Sequence, residues 1–271
     1  GEKVFDWEIP EEWNIKNGYF EHIETGLKFA DFKKNNLHIV NYSQPVDIIL
    51  DFEELKQRIH CSDVDNEFIP YVTSYYKKYW GFCLSKKEFD ILPSGNYRVF
   101  IDSNFKKGTL DLSHAIFKGK SKKEILLTSY VCHPSMANNE LSGPVVLNAI
   151  LDYLKNKYKK TNFSYRFLMI PETIGSIAYL SKNLNKLKKN VICGFNLSCV
   201  GDERAYSYIK TPFENTLADK AIKAALIGKT NVKEYSYLER GSDERQFCAP
   251  SVRLPLCTFS RSKFGEYKEY H

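Results

Sequence analysis

The chain changes rhythm near residue 110. Before it, short runs of aromatic and branched residues alternate with turn signals, as in Val4–Trp7, Gly18–His22, Leu27–Phe32, Leu37–Tyr42 and Tyr97–Asp102, punctuated by Asn17-Gly18 and Ser94-Gly95-Asn96. Such runs predict a β-rich segment. Phe52–His60 reads as one short helix there, and Pro70–Tyr79 as an aromatic stretch, helical or extended. After residue 110 the apolar runs lengthen. Glu124–Cys132 is almost continuously apolar, the pattern of a central strand covered on both faces. Leu141–Lys155 follows with Val145, Val146, Ala149, Ile150, Tyr153 and Leu154 at helical spacing. Phe163–Ile170, Ile174–Leu187, Val191–Val200 and Thr216–Ile227 continue as strand, helix, strand and helix. Alternation of this kind predicts an α/β layered sheet.

In such sheets, chemistry gathers where strands end and helices begin. His133 stands at the end of the first long strand, Glu172 after the second, and Ser198–Asp202 after the third. His133 opens the loop His133–Gly143, whose oxygen donors include Asn139 and Glu140, and imidazole with carboxylate suits zinc. Glu172, directly after a buried strand, could bind metal, act as a base or cap the next helix. Two more segments are dense in ionisable groups: Glu239–Phe247, with Arg240, Asp243 and Glu244, and Arg261–His271, with Tyr270. Taken singly, each has a plain structural reading as a bonded histidine, a helix cap or a solvated loop.

Composition narrows the options. The 271 residues suffice for one large domain or a core plus an insert, and no apolar run reaches the ~18–20 residues that span a bilayer. The formal charge is +6, but the lysines are scattered over helix-like stretches such as 155–160 and 182–189, so solvated faces are expected and nucleic acid is not. Seven cysteines, odd in number and without a CxxC pair, point to free thiols in a reducing cytoplasm. Strand alternation would turn Cys132 and His133 to opposite faces, which argues against Cys132 as a nucleophile. Ile227–Thr230 resembles a phosphate loop but has Lys223 where the first glycine belongs.

With these segments in view, the chain resembles the zinc aminopeptidase superfamily that includes bacterial leucyl aminopeptidases and glutaminyl cyclases. It is most similar to a bacterial branch described as aminopeptidase-like and associated with surface-polysaccharide loci. The resemblance rests on residues 4–15, 70–76, 80–84, Cys-His-Pro-Ser at 132–135, Gly-Ser-Asp-Glu at 241–244 and Gly-Glu-Tyr-Lys-Glu-Tyr-His at 265–271. It implies a three-layer α/β core with a mixed, mainly parallel sheet over 1–19 and 110–271, and a small β-rich insert over 20–109. It also implies that the chain is a fragment lacking an N-terminal helical segment and a C-terminal winged helix.

The resemblance implies metal ligands at His133 and His271, with Glu172 as ligand or base. The bridging aspartate position falls on Asn139, with Glu140 beside it to take over. A later aspartate position falls near Ser198, where no carboxylate stands, so one zinc ion is expected rather than two. Asp243 and Glu244 are reserve bases, and Arg240, Arg261 and Tyr270 are candidate substrate contacts. The activity implied is metal-dependent hydrolysis of a small peptide or amide, without membrane or nucleic-acid partners, and with self-association left open. A degenerate peptidase fold serving as a binding module and a single-zinc cyclase-like acyltransferase are the alternatives.

Overall fold

The computed structural model describes residues 1–63, 65–133 and 136–267. It divides into two compact units: Pro10–Thr109, and Glu2–Ile9 together with Leu110 onward. The border drawn from the sequence after residue 19 falls inside an unbroken strand, Glu12–His22.

Val4–Trp7, expected as one strand, is a hairpin of β1 (Lys3–Val4) and β2 (Trp7–Glu8), with Val4 opposite Trp7. The Pro10–Thr109 unit holds β3 (Glu12–His22), β4 (Lys28–Phe29), β5 (Val46–Asp51), α1 (Phe52–Lys56), β6 (Ile59–His60), β7 (Phe82–Cys83), α2 (Lys86–Asp90) and β8 (Asn96–Lys106). Its antiparallel sheet runs β4-β3-β8-β5, and Phe20, Leu55, Phe82, Tyr97, Val99 and Ile101 fill the core beneath it. Leu37–Tyr42 is not the expected strand. His38 closes a 3₁₀ turn and its Nδ1 bonds the Cys83 carbonyl at 2.9 Å, a long-range contact invisible to local pattern. Pro70–Tyr79 is irregular and held by bridges from Asn41 to Thr73 and from Ser43 to Tyr79.

The second unit adds β9 (Ser113–Phe117), β10 (Glu124–Tyr130), α3 (Ser142–Lys157), β11 (Ser164–Ile170), α4 (Ile174–Asn190), β12 (Val191–Leu197), β13 (Tyr206–Ile209), α5 (Leu217–Ala225), β14 (Val232–Tyr235), α6 (Glu244–Phe247) and β15 (Leu256–Ser260). Its sheet runs β14-β13-β15-β12-β10-β11-β9. The pairings are parallel except at β9–β11 and β13–β15. Alternate residues of one strand serve opposite faces. Leu126, Leu168 and Ile170 pack with Tyr179, Leu180 and Leu187 of α4 and Phe247 of α6. Leu127 and Phe167 pack with Leu147 and Leu154 of α3, and Cys193 with Ala218 and Ile222 of α5. This is the expected three-layer α/β arrangement with a mixed sheet. No helix among the described residues is long and apolar enough to cross a membrane.

Asp219 shows how a buried carboxylate is held in this core. It is 1% exposed, accepts from the backbone and hydroxyl of both Thr211 and Thr216, and caps α5. Burial alone would raise its pKa, but these donors bring it below the ordinary 3.8. A depressed acid stabilises the fold fully above its unfolded pKa and loses that contribution as pH falls through the folded one. Asp219→Asn should therefore cost about 1–3 kcal/mol at neutral pH. The gap to wild type should close below about pH 4, read from denaturant titrations across pH.

Candidate functional site

The carboxyl ends of β10, β11 and β12 converge with the loop that leads into α6. β10 ends at Tyr130, and Val131 adds one further bond, to the Ile170 carbonyl at 2.9 Å. Beyond it the chain leaves strand geometry, so alternation no longer separates Cys132 from His133. Both turn to the same side, with Cys132 Sγ 3.6 Å from His133 Nδ1 and 3.9 Å from Nε2. This overturns the opposite-face expectation.

Ala137–Leu141 then forms a π-helical turn before α3. The wider turn inserts one residue into the helical register, and such bulges are frequent at functional sites. Here it decides between the two candidates the sequence offered. Asn139 turns into the core, 2% exposed, where its side chain meets the Tyr130 hydroxyl and Met136 sulfur. Glu140 turns to the site: one oxygen bonds His133 Nδ1 and the other accepts from the Cys132 amide at 2.6 Å. Asn139 is thus engaged by Tyr130 and Met136, while Glu140 is the one of the two that reaches His133. Gly143, in the first turn of α3, lets the backbone lie close, since a Cβ there would meet Ser129 Oγ at 2.2 Å and the Leu197 carbonyl at 2.4 Å.

Glu172 approaches from β11. Its Oε2 lies 3.5 Å from His133 Nε2, so the imidazole is flanked by carboxylates on both nitrogens. Thr173, next in the chain, has φ 61° and ψ −63°, and the Ile174 amide bonds the Glu172 carbonyl at 2.6 Å. That is a γ-turn of the rare strained kind. Strained backbone persists where surroundings over-determine it. The Thr173 amide donates to Asp243 Oδ1 at 2.8 Å, and Arg245 donates to its hydroxyl at 3.0 Å.

Electrostatics follow from burial. Desolvation raises the Glu172 pKa, although His133, Ser242 and Arg245 oppose it. Asp243 is fully buried and pushed well up, first by burial and then by the charge of Glu172. Its Oδ2 has no hydrogen-bond partner among the described residues. Burial draws His133 down, but its bond to Glu140 and the charges of Glu172 and Glu140 raise it on balance. Burial, with Glu140 next, pushes the Cys132 thiol up, the direction that disfavours a nucleophilic thiolate.

Other candidates lie elsewhere. Both Glu244 oxygens are engaged, by the Gly241 and Ser242 amides at 2.8 and 2.9 Å and by the Thr258 hydroxyl at 2.7 Å, so Glu244 fixes the loop. Arg240 stacks on Tyr237 and bonds its carbonyl. Arg261 stacks on Tyr206 and bonds the Ala205 carbonyl at 2.6 Å. The guanidinium that acts on Glu172 is that of Arg245, missed in the sequence although it stands two residues after Asp243. Tyr270 and His271 lie outside the described residues.

The donor chemistry fits one divalent cation. Cys132, His133 and Glu140 offer ligand atoms within 4.8 Å of one another. However, Cys132 Sγ is nearly equidistant from both ring nitrogens and so lies off either lone-pair axis, and Glu140 already occupies Nδ1. The better pair is His133 Nε2 with Glu172. Two donors each about 2.1 Å from a tetrahedral ion are about 3.4 Å apart, close to the observed 3.5 Å. Glu140 on Nδ1 is then the carboxylate that commonly orients a ligating histidine.

Known proteins share this architecture. The family model described as a domain of unknown function, DUF4910, matches residues 1–271. A Clostridium acetobutylicum protein, named provisionally as a polysaccharide biosynthesis protein with an aminopeptidase-like domain, is 43% identical over 274 residues, covering 100% of this chain and 62% of its own length. A crystal structure from the same organism, described provisionally as a peptidase, has 42% identity and a TM-score of 0.91, covering 98% of this chain and 63% of the other. A zinc aminopeptidase of Bacillus subtilis shares the fold with a TM-score of 0.70 at 14% identity, covering 98% and 76%. The chain spans less than two thirds of the length of both clostridial proteins. An aminopeptidase-like fold and a family match along every residue lead to one statement: this chain belongs to the DUF4910 family.

Proposed function

We propose that this chain is a peptidase-type hydrolase that cleaves a small amide or peptide bond with one zinc ion held by His133 Nε2 and Glu172. The observation that carries the reading is the 3.5 Å separation of those two donors, with Glu140 on the opposite ring nitrogen. The ion would polarise the scissile carbonyl and lower the pKa of a water towards about 7. A single ion suits the donors present, because Asn139 is tied to Tyr130 and Met136 instead of bridging. His271, which the family resemblance makes a further ligand, stays part of the proposal.

The chain's own residues divide the remaining work. Glu140 holds the His133 ring so that Nε2 presents its lone pair. Thr173 and Arg245 hold the turn that aims Glu172. Asp243, with one oxygen fixed by the Thr173 amide and Oδ2 without a partner among the described residues, is the proton acceptor, returning the proton to the leaving amine. Its raised proton affinity suits that task. The seven free cysteines favour a reducing cytoplasm as the setting.

Metal analysis tests the proposal. Protein purified with zinc present should carry about one ion per chain, and His133→Ala should carry almost none. Protein that takes up no zinc in a direct titration, or a His133→Ala variant that keeps its zinc, overturns the reading.

A further inference from the structure

We propose that the Pro10–Thr109 unit carries a saccharide-binding cleft of its own, shaped for a sugar bearing a single carboxylate. The inference rests on that unit alone and is independent of the hydrolase reading. A cleft of about 370 Å³ opens between the start of β3, the end of β8 and the irregular segment 70–79. Its apolar wall is aromatic: Tyr42, Tyr75, Tyr76 and Phe105.

The rings have a definite arrangement. Tyr42 and Tyr75 meet edge to face at 4.7 Å and 82°, Tyr75 and Tyr76 at 6.1 Å and 87°, and Tyr42 and Phe105 at 6.1 Å and 61°. Successive rings at steep angles form steps, with no parallel-walled slot to sandwich a nucleobase. A step suits a pyranose, whose C–H face packs on one ring while its equatorial hydroxyls reach sideways. Gln44 and Ser74 add polar groups to the lining, the Ser74 hydroxyl donating to the Asn41 carbonyl at 3.1 Å.

Charge selects within the sugars. Lys77 and Lys78 stand on the rim with Glu11 opposite in sign, so the lining carries one net positive charge. That balance matches one carboxylate, and leaves the further charges of a polyphosphate without partners. Backbone geometry adds an independent mark. Tyr42 has φ 66°, costly for a bulky residue. Its ring is fixed from behind by Trp13, stacked at 5.9 Å and 20°, whose Nε1 bonds the Ser43 carbonyl at 2.9 Å. Strain of this kind is characteristic of ligand clamps.

Calorimetric titration of the whole chain with cellobiouronate (glucuronosyl-β-1,4-glucose, one carboxylate), and with neutral cellobiose beside it, tests the proposal. Cellobiouronate should bind with Kd on the order of 0.1–1 mM and weaken with salt. Tyr76 is 71% exposed, so Tyr76→Ala should fold normally by circular dichroism while losing roughly tenfold or more in affinity. Lys77→Gln with Lys78→Gln should bring the acidic ligand down to the level of the neutral one. Absence of heat with either ligand at about 5 mM overturns the proposal. Equal binding of the two by wild type removes the carboxylate from it, and unchanged affinity in Tyr76→Ala places binding outside this cleft.

Discussion

An Asp243→Asn variant should keep its zinc and lose amide turnover by roughly 10²–10⁴-fold, the usual contribution of a positioned general acid or base. Glu172→Gln, one strand end away, should lose both zinc affinity and turnover. The two acids differ in geometry. Glu172 presents Oε2 to His133 Nε2 at 3.5 Å, as a ligand does. Asp243 accepts from the Thr173 amide at 2.8 Å with one oxygen, and the other has no partner among the described residues. The asparagine variant can preserve the first bond while losing the ability to take a proton. Zinc content by mass spectrometry of metals, read beside turnover of a panel of aminoacyl amides, separates the roles. Turnover above about one tenth of wild type in Asp243→Asn moves the proton acceptor elsewhere. Retained zinc in Glu172→Gln removes Glu172 from the ligand set.

The second large effect concerns stability. Arg166 is fully buried on β11, with both Nε and Nη2 on the Glu124 carboxylate at 2.6 and 2.9 Å. Its Nη1 donates to the Tyr179 hydroxyl at 2.9 Å and to His114 Nε2 at 2.7 Å. A guanidinium only donates, so His114 presents a lone pair at Nε2 and is neutral. Burial and the Arg166 charge both lower the His114 pKa, in keeping with that state. Every donor and acceptor in the group depends on the others. Arg166→Met or Glu124→Gln alone should cost about 3–5 kcal/mol, because one partner is left buried and uncompensated. With roughly 2–4 °C per kcal/mol for a chain of this size, Tm should drop by about 6–20 °C. Replacing both partners by apolar residues, Glu124→Leu with Arg166→Met, should recover most of the loss, because a well-packed apolar pair matches a buried ion pair. A single variant costing under about 1 kcal/mol would mean that water reaches the pair.

Much of the fold was legible because its signals are local. The apolar run 124–130 and the helical spacing from Leu141 to Lys155 each report burial of a continuous face, and both elements form where that pattern places them. The elements missed depend on distant partners. β9 is a short, half-buried strand that exists by pairing antiparallel with β11. β13 and β15 pair across some fifty residues of intervening chain, so neither has a periodicity that announces its neighbour. His38 is in the same position, held in its turn by a carbonyl far along the chain.

For the site, the amino-acid sequence by itself determined that an imidazole and a carboxylate would stand at neighbouring strand ends, since strand lengths and loop positions follow from local patterning. Only the tertiary structure decided which acids serve it. One extra residue in the π-helical turn sends Asn139 inward and Glu140 to His133, and the end of β10 at Tyr130 frees Cys132 from strand alternation. The amides of Gly241 and Ser242 engage Glu244 while Asp243 keeps an oxygen without a partner among the described residues, and Arg245, which the sequence reading passed over, bonds Thr173 beside Glu172. A carboxylate's chemistry depends on which donors reach it, and those donors come from segments that only the folded chain brings together.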